Sequence, residues 1–471
     1  MRTLRPFLAI AASLALVLAL VLALSALYGA PAAAPPDPQA GLRAQETILR
    51  QARIFDVHTG SMSAPCDLLI DNETIAEILP ANSERTAQRQ IDCSDCYIVP
   101  GLFDCHTHLA HASKAGADSL KRALGDFAQA GVLYVRDVGG PIGTMQEMAA
   151  RTASGEWTGP EIFYSGPMLE GSPLTWASFN EEMPGFTVPI DTPSRVDSLL
   201  PALAARGARM VKTFNHIDPA LYRHLVEVAR RNSLEIVHDP GTPIFHWVPM
   251  DMALDLGVTS IEHAKAPWPV VLKDDLRSRQ DALANAQASP LEQMGVMLAV
   301  VEAGWDGIDT LRLNALAAKM VAKNAYLCPT LHVFATMAKM PAGSDADSSQ
   351  AIPPERLEMM RKVLTAMESV SKGFVQAFAR AKVRMLVGQD GCDPYGTRAE
   401  MEELEACGVP PAEILRGATI YPAQWLQVDD RVGSIEPGKE ASFIVVKANP
   451  LEHVGNVDTI VFVMRKGALL P

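Results

Sequence analysis

The sequence predicts an α/β protein: a (β/α)8 TIM barrel joined to a small β-sandwich built from both ends of the chain. Three observations carry that expectation. Eight short apolar segments, near 102–108, 131–136, 160–165, 209–213, 234–238, 259–263, 325–330 and 384–388, are each followed by helix-compatible sequence, and strands alternating with helices close into a parallel barrel. Five of the eight carry near their carboxyl ends the candidate ligands His106 and His108, Lys212, His238, His263 and Asp390, and the carboxyl ends of barrel strands form the face where chemistry is done. Short alternating runs return at both ends of the chain, such as Thr47 to Phe55, Cys66 to Ile70, Ser442 to Val446 and Thr459 to Met464. They read as one β-domain shared by residues 41–99 and 425–471, with the barrel occupying 100–424.

The first 40 residues are different in kind. Arg2 and Arg5 precede an almost wholly apolar run from Phe7 to Tyr28, and a Pro/Ala-rich linker, Gly29 to Pro38, follows. A positive start, an apolar middle and small residues read as an export signal. The run is also long enough to span a bilayer if it is not removed. The expected location is therefore periplasmic or secreted, or anchored by this segment as the protein's one membrane contact. Within the barrel two connections are long, about 264–324 and 333–381, with helix-compatible stretches around Trp268 to Ala284 and Leu291 to Glu302. Insertions on this face shape or cover a pocket, or simply add packing helices.

With 471 residues, 48% hydrophobic and 20% charged, the chain buries one large core and a satellite. The net charge of −13 comes without clusters of Lys and Arg, which excludes nucleic acid as a partner. No glycine-rich phosphate loop joins a strand to a helix. Seven cysteines in an exported chain leave at least one free thiol, and Cys93 and Cys96 are spaced for a local bridge or redox pair.

The chemistry begins at Val99-Pro100-Gly101-Leu102-Phe103-Asp104-Cys105-His106-Thr107-His108. Period-2 alternation puts both imidazoles on one side of the strand, and two imidazoles at a strand end make half of a transition-metal site. Lys212 ends the apolar run Ala208 to Val211, His238 ends Leu234 to Val237, His263 follows Val258 to Glu262, and Asp390 lies just past Val383 to Val387. These six residues recur at the same end of successive strands, which chance does not explain.

Taken together, Pro-Gly-Leu-x-Asp-x-His-x-His, Ile-Glu-His and the closing Val432 to Ser442 segment resemble the amidohydrolase superfamily in its two-metal branch, over roughly residues 45 to 471. Val135 to Gly140 and Val211-Lys212 resemble the Xaa-Pro dipeptidase group, and imidazolonepropionase is also similar. Two departures are Thr213-Phe214-Asn215-His216 after the lysine, where a small Gly/Ser-rich turn is usual, and Ala264 after His263. The resemblance implies a metal-dependent hydrolase of an amide or peptide bond in a dipeptide, N-acyl amino acid or related small molecule. His106, His108 and Asp390 suit one divalent ion and His238 and His263 the other, and the resemblance places a bridging carbamate, formed with carbon dioxide, on Lys212. Zinc is the first expectation, with manganese, cobalt and iron compatible with the same ligands. Two metals generate hydroxide from water at ordinary pH and polarise a carbonyl, and Asp390 is placed to accept the water's proton and pass it to the leaving nitrogen.

His332, His111 and His216 are candidate substrate contacts at the rim. Arg136-Asp137 reads as an internal ion pair, and His58, His224, His246 and His453 have no partner logic. Two other readings stand beside the hydrolase: a one-metal deaminase or cyclic-amide hydrolase that would not need Lys212, and a tethered binding protein without turnover. The oligomeric state is open, a homo-oligomer included.

Overall fold

A computed structural model describes residues 46–241, 247–285, 290–339 and 354–470. The leader expected over residues 1–40, and His246, lie outside them. Among the described residues no helix is long and apolar enough to cross a membrane.

The chain is mixed α/β. A nine-stranded sheet joins the two ends of the described chain: Ala468–Leu469, Ile460–Arg465, Phe443–Val446, Tyr97–Pro100, Thr47–Asp56, Cys66–Asp71 and Thr74–Pro80 lie side by side, and Ser61–Met62 and Arg89–Asp92 also pair with Thr47–Asp56. Its central contact sets Ile98 against Val445 and Val99 against Ile444. Their side chains face opposite sides of the sheet. Accordingly Ile98 and Val445 belong to a satellite core with Leu68, Ile70 and Phe443, while Val99 and Ile444 pack into the main core.

Leu102–Thr107, Val132–Asp137 and Glu161–Tyr164 form a three-stranded parallel sheet. A seven-stranded parallel sheet runs in the order Thr187–Pro189, Met168–Glu170, Met210–Thr213, Glu235–His238, Ser260–Glu262, Tyr326–Cys328, Arg384–Met385. Backbone hydrogen bonds join both edge strands of the three-stranded sheet to the seven-stranded one, Arg209 N to Tyr164 O at 3.0 Å on one side and Cys105 N to Val387 O at 2.7 Å on the other. Their strands are buried on both faces, as parallel strands covered by helices must be.

Helices start where the sequence supplies caps. Asp218 accepts from the N–H groups of Ala220 and Leu221, with Pro219 in the first helical position of Pro219–Arg231, so the donors a helix start leaves unpaired are satisfied by the side chain. Asp309 does the same for Thr310–Ala322. The apolar stripe of Pro219–Arg231, Leu221, Leu225, Val226 and Val228 among it, is buried.

Two details differ from the sequence expectation. The helix expected from Trp268 begins at Asp274, because Pro267 precedes and Pro269 sits inside a short 3-10 turn, Trp268–Val270, and neither proline has an N–H to donate. Met168–Glu170 and Thr187–Pro189 are added strands of three residues each, too short to show a period-2 signal. All seven cysteines are free thiols, so Cys93 and Cys96 are not bridged, and burial pushes the Cys93 thiol up to about 12.

Candidate metal centre

The strand Leu102–Thr107 brings His106 to its carboxyl end with no exposed surface. His106 Nδ1 lies 2.6 Å from Glu262 Oε2. A carboxylate only accepts, so Nδ1 carries the hydrogen and the Nε2 lone pair faces the other way. There it meets Lys212 Nζ at 3.3 Å and Asp390 Oδ1 at 3.4 Å. His108 repeats the logic: Nδ1 donates to the Gly139 carbonyl at 3.2 Å, and Nε2 lies 3.2 Å from the same Asp390 oxygen. An imidazole whose far nitrogen donates to a carboxylate or carbonyl is the arrangement that orients metal-ligating histidines.

Burial, followed by the Lys212 charge, pushes His106 down to about 3 and keeps it neutral, as a ligand must be. Burial also works against a charged His108, but Asp390 outweighs it and raises the imidazole. Asp390 is held well below the usual carboxylate range: burial would raise it, and His106, His108 and His263 overcome that.

Two backbone twists bring the remaining groups in. Asp390 and His263 have φ of +60° and +68°, the left-handed region that non-glycine residues seldom occupy outside strained functional positions. Asp390 is held there by its N–H to the His106 carbonyl at 2.8 Å, and His263 by its N–H to the Cys328 carbonyl at 2.7 Å. His263 Nδ1 is then 2.7 Å from Thr330 Oγ1 and 3.8 Å from Asp390 Oδ2, and its Nε2 is 2.8 Å from Asp239 Oδ2. Lys212, 1% exposed, sits between His106 and Asp239, 3.5 Å from Asp239 Oδ2.

Of the six residues expected as ligands, His106, His108, Lys212, His263 and Asp390 converge. His106, His108 and Asp390 offer three donor atoms within 4.8 Å of one another, a nitrogen and oxygen set suited to a divalent transition metal. A second triple, His106, Glu262 and Cys328, is equally compact. It is the poorer site, because Glu262 is already committed and burial raises the Cys328 thiol far above its ordinary value. His238, the sixth, lies within reach of the Asp239, Lys212 and Glu262 charges; its Nε2 donates to the Val248 carbonyl at 3.1 Å, and its Nδ1 accepts, with Tyr222 Oη at 3.0 Å and Thr213 Oγ1 at 3.1 Å.

Sequence reasoning missed the parts played by two acidic residues, Glu262 and Asp239. Glu262 is bound by Arg136 Nη2 at 2.8 and 3.0 Å and by Ser260 Oγ at 2.8 Å, all fully buried. Burial would raise its carboxyl, and Arg136 and His106 hold it below the usual range instead. Arg136 does form an internal ion pair, but with Glu262. Its chain neighbour Asp137 accepts instead from the N–H groups of Leu109 at 2.8 Å and Gly139 at 3.3 Å. Asp239, the second, is 3% exposed.

The rim is aromatic. The His111 ring stands edge-on to Phe179 and Phe186, each 5.3 Å away, and 6.1 Å from His108. Half-exposed Trp176 lies 5.4 Å from Phe179 and 6.1 Å from Phe214. His216, with φ of +61°, packs 5.6 Å from Trp247. His332 is set back, its N–H donating to Glu400 Oε2 at 2.7 Å.

The amidohydrolase family profile matches residues 283–470. An imidazolonepropionase of Desulfotalea psychrophila is 23% identical over 442 residues, covering 88% of this chain and 93% of its own. One from Shewanella frigidimarina is 25% identical over 369 residues, covering 74% and 76%. Among solved structures, a Xaa-Pro dipeptidase with methionine bound in its active site superposes with a TM-score of 0.65 at 20% identity, over 90% of this chain and 99% of that one. With the converging ligands and the strand order, these likenesses make the chain similar to amidohydrolases, in fold over nearly its whole described length and in family profile over residues 283–470.

Proposed function

We propose that the protein hydrolyses a carbon–nitrogen amide or peptide bond in a small molecule with a two-metal centre at the carboxyl ends of its parallel strands. The observation that carries this reading is Lys212, a buried lysine at a strand end, 3.3 Å from the lone-pair nitrogen of His106. A structural lysine does not need that place, and a one-metal site does not use it.

His106, His108 and Asp390 hold one divalent ion. A second would be held by His238 and His263, and Lys212 as its carbamate would supply anionic oxygen to both. Bound divalent ions lower the pKa of water and polarise a carbonyl. Zinc suits imidazole and carboxylate ligands, as do manganese, cobalt and iron. Asp390, ionised and held by His108, accepts the water's proton and returns it to the leaving nitrogen. Glu262 keeps His106 in the ligating tautomer, and Arg136 keeps Glu262 ionised. The rim of Trp176, Phe179, Phe214 and His111 takes an apolar part of the substrate, with His216 and His332 as outer contacts.

The two parallel sheets read as one eight-stranded (β/α)8 barrel over residues 100–424, supported by the hydrogen bonds at both edges, and the strands of 41–99 and 425–471 as a β-sandwich beside it. Export follows from the apolar run Phe7 to Tyr28. Because the curated relatives are named imidazolonepropionases, a cyclic amide is the second substrate class, and the buried Lys212 favours the linear one. Turnover of a panel of dipeptides, N-acyl amino acids and lactams tests the reading. Hydrolysis of linear amides that is lost on chelation and restored by metal supports it, and chelator-resistant turnover overturns it.

A further inference from the structure

One fully buried carboxylate ties the strand that carries His106 to the distant segment that carries Asp390. Asp104 Oδ1 accepts the N–H groups of His106 at 3.1 Å and of Gln389 at 3.3 Å. Its Oδ2 accepts from Gln389 Nε2 at 2.8 Å and Thr397 Oγ1 at 2.7 Å. Gln389, 3% exposed, is held at its other end too, where Oε1 accepts the Asp393 N–H at 3.2 Å. A carboxylate only accepts and a backbone N–H only donates, so these two partners settle which end of the amide is nitrogen. The helix Gly396–Ala406 leaves room for that side chain, since a Cβ at Gly396 would stand 2.1 Å from Gln389 Oε1.

We propose that Asp104 and Gln389 are a positioning pair, whose hydrogen bonds fix the turn from which Asp390 aims its carboxylate at the ligand nitrogens of His106 and His108. The assignment rests on the role given to Asp390 in the hydrolytic reading above. Its physical ground is the backbone. Asp390 has a φ of +60°, which a non-glycine residue keeps only where its surroundings over-determine it. Its own N–H is held by the His106 carbonyl at 2.8 Å, and the residue before it is anchored by Asp104 at both its backbone N–H and its side chain. All three holds run to the strand Leu102–Thr107. Asp390 Oδ1 accordingly stands 3.2 Å from His108 Nε2 and 3.4 Å from His106 Nε2. Asp104 and Gln389 act through Asp390, and misplacing a reacting group by about 1 Å can cost about 10²-fold in rate.

Exchanging the two groups in the purified full chain tests this. Gln389→Glu sets a second carboxylate against Asp104. Asp104→Asn, whichever way its amide turns, sets an NH2 against groups that donate. The double variant Asp104→Asn/Gln389→Glu restores the contact with donor and acceptor reversed. In each single variant kcat per metal-loaded enzyme should fall by about 10²-fold with KM within a few-fold of the wild type, and the double variant should recover most of the loss. Gln389→Met removes the hydrogen bond without a repulsion; it should show the same fall in kcat, and it stands in where a single exchange does not fold. The visible absorption of the cobalt-loaded protein reads the Asp390 ligand without turnover, and should shift in the single variants and return in the double one. Wild-type kcat and an unshifted cobalt spectrum in folded Gln389→Met, or a folded double variant no better than the singles, overturns the assignment and leaves the hydrolytic reading standing. Asp390→Asn at wild-type kcat overturns the role of Asp390 itself, and the assignment with it.

Discussion

His106 gives its Nδ1 hydrogen to Glu262 Oε2 at 2.6 Å, and that contact decides which nitrogen of the ring is free to bind a metal. Glu262 in turn is pinned by Arg136 and Ser260, with no part of the set in contact with water.

Removing the carboxylate should therefore act twice. Glu262→Gln leaves the buried Arg136 guanidinium without its counter-charge, which costs about 3–5 kcal/mol of stability. The loss of the orienting partner weakens metal binding at His106 by about 10–100-fold. Thermal melts and metal titration of the variant measure the two effects separately, and an unchanged melt with unchanged affinity would remove Glu262 from this role.

Lys212→Ala should lose activity and regain part of it when a short carboxylic acid is added, since the acid supplies the two oxygens the carbamate would have given. Assays with and without added acetate or propionate read this. Full activity in Lys212→Ala favours the one-metal alternative.

Asp390→Asn keeps an oxygen near His106 and His108 but removes the proton acceptor. The expected loss in kcat is about 10²–10⁴-fold, the usual range for a general acid–base group. A variant within a few-fold of wild type would show that another residue moves the proton.

Glu400 supplies a pH signature of its own. It is fully buried, one of its oxygens is without a partner among the described residues, and burial pushes it up to about 8. The folded state thus holds a proton that the unfolded chain releases near 4.5. The stability linked to that proton is complete below about pH 4.5 and is lost as the pH rises through about 8, by up to ~1.4 kcal/mol per unit within that window. Melting Glu400→Gln beside the wild type from pH 5 to 8 should give the flatter curve for the variant, and parallel curves would contradict the assignment.

Much of the site was legible because the alternation of a strand is rigid. His106 and His108 face one way by period alone, and Lys212, His263 and Asp390 were found by their place after apolar runs. The neighbours Glu262 and Asp239 were hidden by the same rule, which puts adjacent residues on opposite faces. His263 escapes it through its positive φ, so Glu262 reaches His106 while its neighbour His263 reaches Asp390. A twist set by the Cys328 carbonyl, 65 positions away along the chain, leaves no mark in the local sequence. The partner of Arg136 was likewise invisible, because Glu262 lies 126 positions further along the chain.

The most direct measurement is the metal content of the purified wild-type chain set beside that of Lys212→Ala. The account predicts about two equivalents in the wild type, as a two-metal hydrolytic centre requires, and a clear drop when the lysine is removed. One equivalent, held equally well by both proteins, would contradict it.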